Sequence, residues 1–236
     1  MNQEASAYDQ SSTLYSPDGR LYQVEYARKA VDRGSTVAGL KGKDGVALIA
    51  YKRIFNRLIE SSYLDKLYKI TGGIGCATSG LVADSRILIN YGREVAQNHS
   101  SRYGEEMATL DLTRSICRLM AVYSQYGGAR PFGTSLIFAG EDDGELHLVH
   151  TDVSGIRIQH TFVALGTNSE AVTERVGTKY DQKKKLDKLV PEVIGSMAAE
   201  LDEEFTPESL DIGVVRTGQG FRILTDDEVA EIISKV

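Results

Sequence analysis

Blocks of strand-like sequence, separated by two pairs of helical stretches, constrain what this chain can fold into more than any other feature. Short β-branched or apolar runs lie at 36–40 and 46–51, then at 67–70 and 74–79. Helical spacing of apolar residues follows over 81–101 and 107–125. Strands return at 134–139, 145–151 and 157–164, and a second helix pair occupies 168–180 and 187–203. Strands at 211–216 and 220–224 and a helix at 226–234 finish the pattern. A parallel α/β sheet would need strands and helices in regular alternation. Blocks of this kind instead predict an α+β protein with antiparallel sheets and segregated helix layers.

Local chemistry supports the individual elements. Lys43-Asp44-Gly45 is a hairpin signal between the first two strands, and Gly72-Gly73 turns the second pair. In the second long helix, Leu112, Ile116, Leu119 and Tyr123 form an apolar stripe; Leu81, Asp84, Leu88, Tyr91 and Val95 mark one side of the first. Thr225-Asp226-Asp227-Glu228 is a capping box for the last helix. Upstream, Ser16-Pro17-Asp18-Gly19 reads as a tight turn, with Pro presetting φ and Gly favoured at the fourth position. A half-exposed helix over 20–33 follows, with Leu21, Val24, Ala27 and Val31 on one face and Gly34 as its stop. Residues 1–15 are polar and poor in aliphatics, the composition of a mobile tail.

Composition removes several function classes. The chain has 236 residues, 42% hydrophobic and 25% charged, and is read as one domain spanning 1–236. A formal net charge of -6, with Lys183-Lys184-Lys185 the one basic run, argues against nucleic-acid binding and makes that run a solvated loop. Cys76 and Cys117 sit among apolar residues, which fits buried free thiols in a reducing compartment rather than a redox or zinc motif. His99, His147, His150 and His160 are dispersed, and the three-residue offset of His147 and His150 puts them on opposite strand faces, so no metal site is expected. No apolar run approaches the ~20 residues of a membrane span, and no signal-peptide core is present. A cytoplasmic protein without cofactors is the expectation.

The most specific string is Tyr8-Asp9, then Ser16-Pro17-Asp18-Gly19-Arg20-Leu21, then Gln23-Val24-Glu25-Tyr26-Ala27. It closely resembles the N-terminal signature of proteasome alpha subunits. The resemblance continues through Ser79-Gly80-Leu81-Val82-Ala83-Asp84-Ser85-Arg86 and through Tyr123-Ser124-Gln125-Tyr126-Gly127-Gly128-Ala129-Arg130-Pro131-Phe132-Gly133. It implies a four-layer αββα sandwich, the N-terminal-nucleophile hydrolase fold, assembled into heptameric rings on proteasome beta subunits. Residues 1–12 would form a gate tail and 20–33 a ring-contact helix. Tyr8, Asp9, Pro17 and Tyr26 match the cluster that holds the gate open. Lys66, with Gly34, Gly80 and Leu81 at its border, matches the pocket that docks the C-termini of regulatory ATPases or other activators. Tyr126, Gly127 and Gly128 match the loop around the pore through which unfolded substrates pass. The compact chain leans archaeal. Tyr51 stands where the family commonly has Asp, and Asp152-Val153-Ser154-Gly155 where it has an Asp-Pro-Ser-Gly-like turn; neither position is expected to carry gating or docking.

The beta-type relatives implied by the same resemblance are threonine proteases that use a freed N-terminal nucleophile. Here the nucleophile position falls at Ser35, behind 34 residues of alpha signature; the acid position falls at Lys52, a cation; and the lysine position falls at Lys66. A non-catalytic subunit is therefore expected. A hydrolase matured by cleavage before Ser35 or Thr36 and a ring-forming scaffold without a protease partner remain as alternatives.

Overall fold

The computed structural model describes residues 14–53, 58 and 65–236. The described chain begins with helix α1 (Tyr22–Asp32) and the hairpin β1 (Val37–Gly42) and β2 (Gly45–Tyr51). Strands β3 (Leu67–Lys69) and β4 (Gly75–Gly80) lead into helices α2 (Val82–Tyr103) and α3 (Thr109–Gln125). Next come β5 (Thr134–Asp142), β6 (Glu145–Thr151), β7 (Arg157–Gln159) and β8 (Phe162–Leu165), then α4 (Ser169–Gly177) and α5 (Leu186–Leu201). The last elements are β9 (Leu210–Arg216), β10 (Gly220–Ile223) and α6 (Asp226–Ile233).

Two antiparallel five-stranded sheets result, ordered β10-β9-β2-β1-β8 and β3-β4-β5-β6-β7. Strand alternation explains why they stack. Along β2, Val46, Leu48 and Ala50 turn toward the other sheet, while Ala47, Ile49 and Tyr51 face α4 and α5. Along β5, Ile137 and Ala139 join that inter-sheet core, while Leu136 and Phe138 face α2 and α3. Strands apolar on both faces need cover on both, so each sheet carries a helix pair outside and the other sheet inside. The αββα sandwich expected from the resemblance is the observed fold.

Several local expectations need correction. The run 157–164 is not one strand. Its first part, β7, pairs with β6, and its last part, β8, pairs with β1 in the other sheet. His160 N still donates to Leu148 O at 2.9 Å, whereas Thr161 O already accepts from Lys41 N at 2.8 Å. The chain thus changes sheets over two residues, with the N–H of the first bonded to one sheet and the carbonyl of the second to the other. The first hairpin turns on Lys43-Asp44, since Gly42 pairs with Gly45; Asp44 instead accepts from Leu186 N at 2.8 Å at the start of α5. The α2 stripe holds at Asp84 and Leu88, with Tyr91 partly buried on the same core, but the buried face also takes Ser85, Ile89, Gly92 and Ala96, and Leu81 is 46% exposed. In α3 the buried ridge runs Leu112, Ile116, Met120 and Ser124, with Leu119 partly buried on the same core, whereas Tyr123 is left 41% exposed. Two local readings hold: the Thr225–Glu228 capping box and the buried face Val24, Ala27 and Val31 of α1. Cys76 and Cys117 are buried free thiols. Among the described residues, no helix is long and apolar enough to cross a membrane.

Candidate functional site

Lys66 directly precedes β3, and its carbonyl accepts from Thr78 N at 2.9 Å, which fixes the backbone against β4. The side chain enters a cavity of about 350 Å³ whose wall includes Arg33, Ser35, Thr36, Tyr51, Lys52, Arg53, Val82 and Glu203. Burial pushes the Lys66 ammonium below the usual lysine range. Among the described residues, no hydrogen-bond or ion-pair partner meets it. A second cation on the wall, buried Lys52, is neutralised: its Nζ lies 2.7 Å from Asp211 Oδ1. Arg33 and Arg53 are exposed on the same wall. The cavity therefore offers positive charge and an unclaimed donor, which suits an anion.

Tyr51 was not expected here. Its ring is 8% exposed and packs on Phe205 with centroids 5.2 Å apart, because β2 lies beside β9 and the segment leading into it. Burial, and then the facing Glu203 carboxylate, raise the pKa of its hydroxyl. The departure at Tyr51 thus falls on the wall of the Lys66 cavity. Ser35 and Lys52 also sit on that wall, with no carboxylate at either position or at Tyr51.

Gly34, Gly80 and Leu81 form a seam next to this cavity, whose own wall takes their neighbours Arg33, Ser35 and Val82. Gly34 follows α1, where its N–H bonds Val31 O at 2.9 Å. A Cβ on Gly34 would lie 2.4 Å from Ser79 Oγ and 2.5 Å from Gly80 N. Gly80 has φ +114°, and a Cβ there would lie 2.2 Å from Gly133 O. Glycine is required at both positions for α1 to press against the end of β4. Leu81 N donates to Gly133 O at 2.9 Å, and its side chain is left half exposed.

Around the N-terminal turn, Gly19 N donates to Ser16 O at 2.8 Å and Ser16 N to Arg20 O at 2.9 Å, with Gly19 at φ +73°. Pro17 is exposed at the tip. Arg20 makes two 2.6 Å bonds to Glu25, coupling turn to helix. Tyr26 is 40% exposed and stacks on Tyr22, with Lys29 Nζ 5.8 Å from its ring centre. Underneath, Val24, Ala27 and Val31 pack on Val153, and Arg28 bonds Asp152 at 2.9 and 3.3 Å. Burial raises the Asp152 carboxyl, but Arg28 and Ser154 outweigh it and hold the group down at about 2. The Asp152–Gly155 turn is thus the seat of α1. Pro17 and Tyr26 lie in one surface segment; Tyr8, Asp9 and the tail 1–12 lie outside the described residues.

Beyond α3, Tyr126 is 67% exposed and Ala129 N bonds its carbonyl at 3.2 Å. Gly128 needs glycine for its φ of +89°, while a Cβ on Gly127 would meet open space. Arg130 ties the loop down through Asp84, at 2.6 and 2.9 Å. The pore-loop residues stand apart from the Lys66 cavity wall. The histidines are less dispersed than the sequence suggests: His150 and His160 meet with ring centres 5.7 Å apart, and neither buried Nε2 has a partner among the described residues. No group of three His, Cys, Asp or Glu that could hold a metal ion occurs among the described residues.

Two antiparallel sheets stacked between helix pairs are the architecture of the N-terminal-nucleophile hydrolase class, and residues 31–215 match the family model described as proteasome subunit. Residues 8–30 match the model of the N-terminal signature of A-type proteasome subunits. Curated relatives called proteasome subunit alpha are similar over nearly their whole length. That of Methanococcus vannielii is 40% identical over 233 residues, covering 98% of this chain and 90% of the relative. Those of Methanopyrus kandleri and Archaeoglobus fulgidus are each 40% identical, over 231 and 229 residues, covering 98% and 97% of this chain and 94% and 93% of the relatives. The chain belongs to the proteasome alpha-subunit family.

Proposed function

We propose that this chain is a non-catalytic ring subunit of a proteasome core particle, acting in the cytoplasm in protein degradation. As one domain, it joins other copies in a heptameric ring, stacks on a ring of beta subunits and controls the entry of unfolded substrates. The tail 1–12, with Tyr8, Asp9, Pro17 and Tyr26, is the gate, and Tyr126, Gly127 and Gly128 border the pore. The Lys66 cavity, bordered by Gly34, Gly80 and Leu81, receives the C-termini of regulatory ATPases or other activators. One observation carries the docking part of this reading: a half-buried ammonium with no acceptor among the described residues, in a cavity with further cations on its wall. A terminal carboxylate supplies the missing charge. Binding there biases the turn at Pro17 toward the open arrangement, because the cavity and that turn sit on opposite ends of α1.

The test is peptide hydrolysis by the assembled particle. Lys66→Ala abolishes activator-stimulated hydrolysis and leaves the unstimulated rate unchanged; full stimulation of the variant rules out the docking role.

A second reading has one observation in its favour: Ser35 and Lys66 share a cavity, as a nucleophile and its lysine would. Cleavage before Ser35 would remove α1, which closes the Val24, Ala27, Val31 and Val153 cluster, and Lys52 gives no carboxylate. Intact mass with a covalent probe for N-terminal nucleophiles separates the readings. A full-length mass without adduct supports the ring subunit; a chain cut before Ser35 or Thr36, or a stoichiometric adduct, supports a hydrolase.

A further inference from the structure

A trough of about 640 Å³, within the range of ligand clefts, runs between the end of α4 and the outer face of α5. Pro191 and Gly195 lie one turn apart on α5 and carry no long side chain, so the helix face stays low there. Half-buried Gly195 and Ser196 and exposed Val236 are open to a ligand. The surrounding sequence is basic: 175–188 holds six cations against two carboxylates, in a chain of formal net charge -6. The run Lys183-Lys184-Lys185 belongs to that stretch. Both acidic side chains on the wall are already claimed. Asp187 Oδ1 lies 2.6 Å from Arg216 Nη2, and Glu192 Oε1 lies 2.8 Å from Lys184 Nζ. Lys179, just past α4, and Lys188, in the first turn of α5, are exposed, and their side chains have no hydrogen-bond or ion-pair partner among the described residues. Counting the Val236 carboxylate with Asp187 and Glu192, the wall carries five cations to three acids.

Two unclaimed ammonium groups, one from each wall of a low trough, call for an extended ligand with acceptors on both sides. Nucleic acid fits less well. The one aromatic ring on the wall, Tyr180, packs on Phe162 with centroids 5.9 Å apart, and its hydroxyl donates to Thr161 O at 2.6 Å, so no ring there is free to stack a base. The rest of the surface is net negative and repels a phosphate chain. We propose that the α4–α5 trough is a docking surface for an acidic peptide segment of a partner protein, whose carboxylates pair with Lys179 and Lys188 while its backbone crosses α5 at Gly195. Arg175 and Lys235 keep their own partners, Glu200 and Glu231, and strengthen the local field. The trough shares no wall residue with the Lys66 cavity, so this surface is independent of activator docking there.

Fluorescence anisotropy on the full-length protein tests this with a labelled, amide-capped, Glu-rich peptide carrying one central Leu, and with its Gln counterpart. The amide cap removes the chain-end carboxylate that the Lys66 cavity would take. At low salt the Glu peptide binds and the Gln peptide does not. Replacing both lysines, Lys179→Gln with Lys188→Gln, weakens the Glu peptide about tenfold. Gly195→Leu, which fills the trough, also weakens it, and Lys66→Ala leaves it unchanged. A Cβ on Gly195 meets only Val236 Cγ1, at 3.0 Å, and Leu suits a helix better than Gly, so this variant keeps its thermal midpoint. The two exposed lysines test the surface without touching the core. Equal binding of the two peptides, binding that survives the lysine pair or Gly195→Leu, or binding lost in Lys66→Ala overturns the proposal. An oligouridylate that binds as tightly as the Glu peptide, with the same dependence on the two lysines, overturns the peptide assignment in favour of a general phosphate surface. Peptide binding that disappears as the protein self-associates assigns the trough to a second copy of the chain and overturns the separate partner.

Discussion

Asp84 and Lys66 are both charges drawn out of water beside β4, and their surroundings could hardly differ more. Asp84 is 4% exposed, and its two oxygens accept from both terminal nitrogens of Arg130 and, at 2.8 Å, from Gly133 N. Next to it Ser85 Oγ and Thr134 Oγ1 are 2.7 Å apart, and Thr134 Oγ1 donates on to Ser79 O at 2.9 Å. That knot spans the end of β4, the start of α2 and the loop before β5, and nothing in it is left over. Across the seam, the Lys66 and Ser35 side chains meet no partner among the described residues. A saturated buried network fixes structure, whereas an unsaturated one costs stability and gains only when a ligand arrives. The contrast separates the part of this surface that holds the subunit together from the part proposed to bind.

The comparison breaks first if the knot is not structural. Asp84→Ala leaves the buried Gly133 N–H without an acceptor and frees Arg130. The expected loss is about 4 kcal/mol of unfolding free energy, read as a lower guanidinium midpoint of the purified protein. Burial raises the Asp84 carboxyl, but Arg130 and Gly133 N outweigh it and hold it below the usual range. A midpoint within error of the parent would mean that the knot is ornamental and that saturation says nothing about role.

A third cluster sharpens the rule, since its orphans are imidazole nitrogens, which change charge with pH. Burial, and then the neighbouring His160, push the His150 imidazole down to about 4, with Asp152 acting in the opposite direction and itself held by Arg28. The folded pKa lies below the unfolded value, so the unfolded chain binds more protons between the two. Stability is therefore fully present above the unfolded pKa of about 6.5 and falls as the pH drops toward 4. The expected loss across that window is about 3 kcal/mol. His150→Gln should flatten the dependence. An unchanged pH slope in that variant would remove His150 as its source.

How legible was all this in the chain? The α1 stripe, the terminal capping box and the order of helices and strands follow from residues a few positions apart, and those readings hold. The sheet switch after Gln159 does not, because β7 and β8 have the same local character and differ only in which strand pairs with each. Leu81 misled for a related reason: it is the cap residue of α2, with extended backbone angles and its N–H bound to Gly133, so the helical stripe does not include it. Lys66 was readable only through family resemblance. The rest of its cavity depends on contacts between distant segments, Lys52 with Asp211 and Tyr51 with Phe205, set by the adjacency of β2 and β9. His150 and His160 meet only because the chain crosses from β6 through β7 with a fixed register, which no spacing rule announces.

The smallest expected effect decides the most. If the Lys66 ammonium is kept for a ligand, the folded subunit carries it at a cost, since burial lowers its pKa and no described partner compensates. Lys66→Met removes the charge and keeps the length of the side chain. The unliganded protein should then be unchanged or more stable by roughly 1 kcal/mol, while carboxylate peptides no longer bind. This is the opposite of the Asp84→Ala outcome, although both substitutions remove a buried charge beside the same strand. A guanidinium midpoint that falls by as much in Lys66→Met as in Asp84→Ala would show that Lys66 already has a structural partner in the folded protein. The distinction between a saturated knot and a waiting receptor would then fail, and with it the physical basis for docking at this cavity.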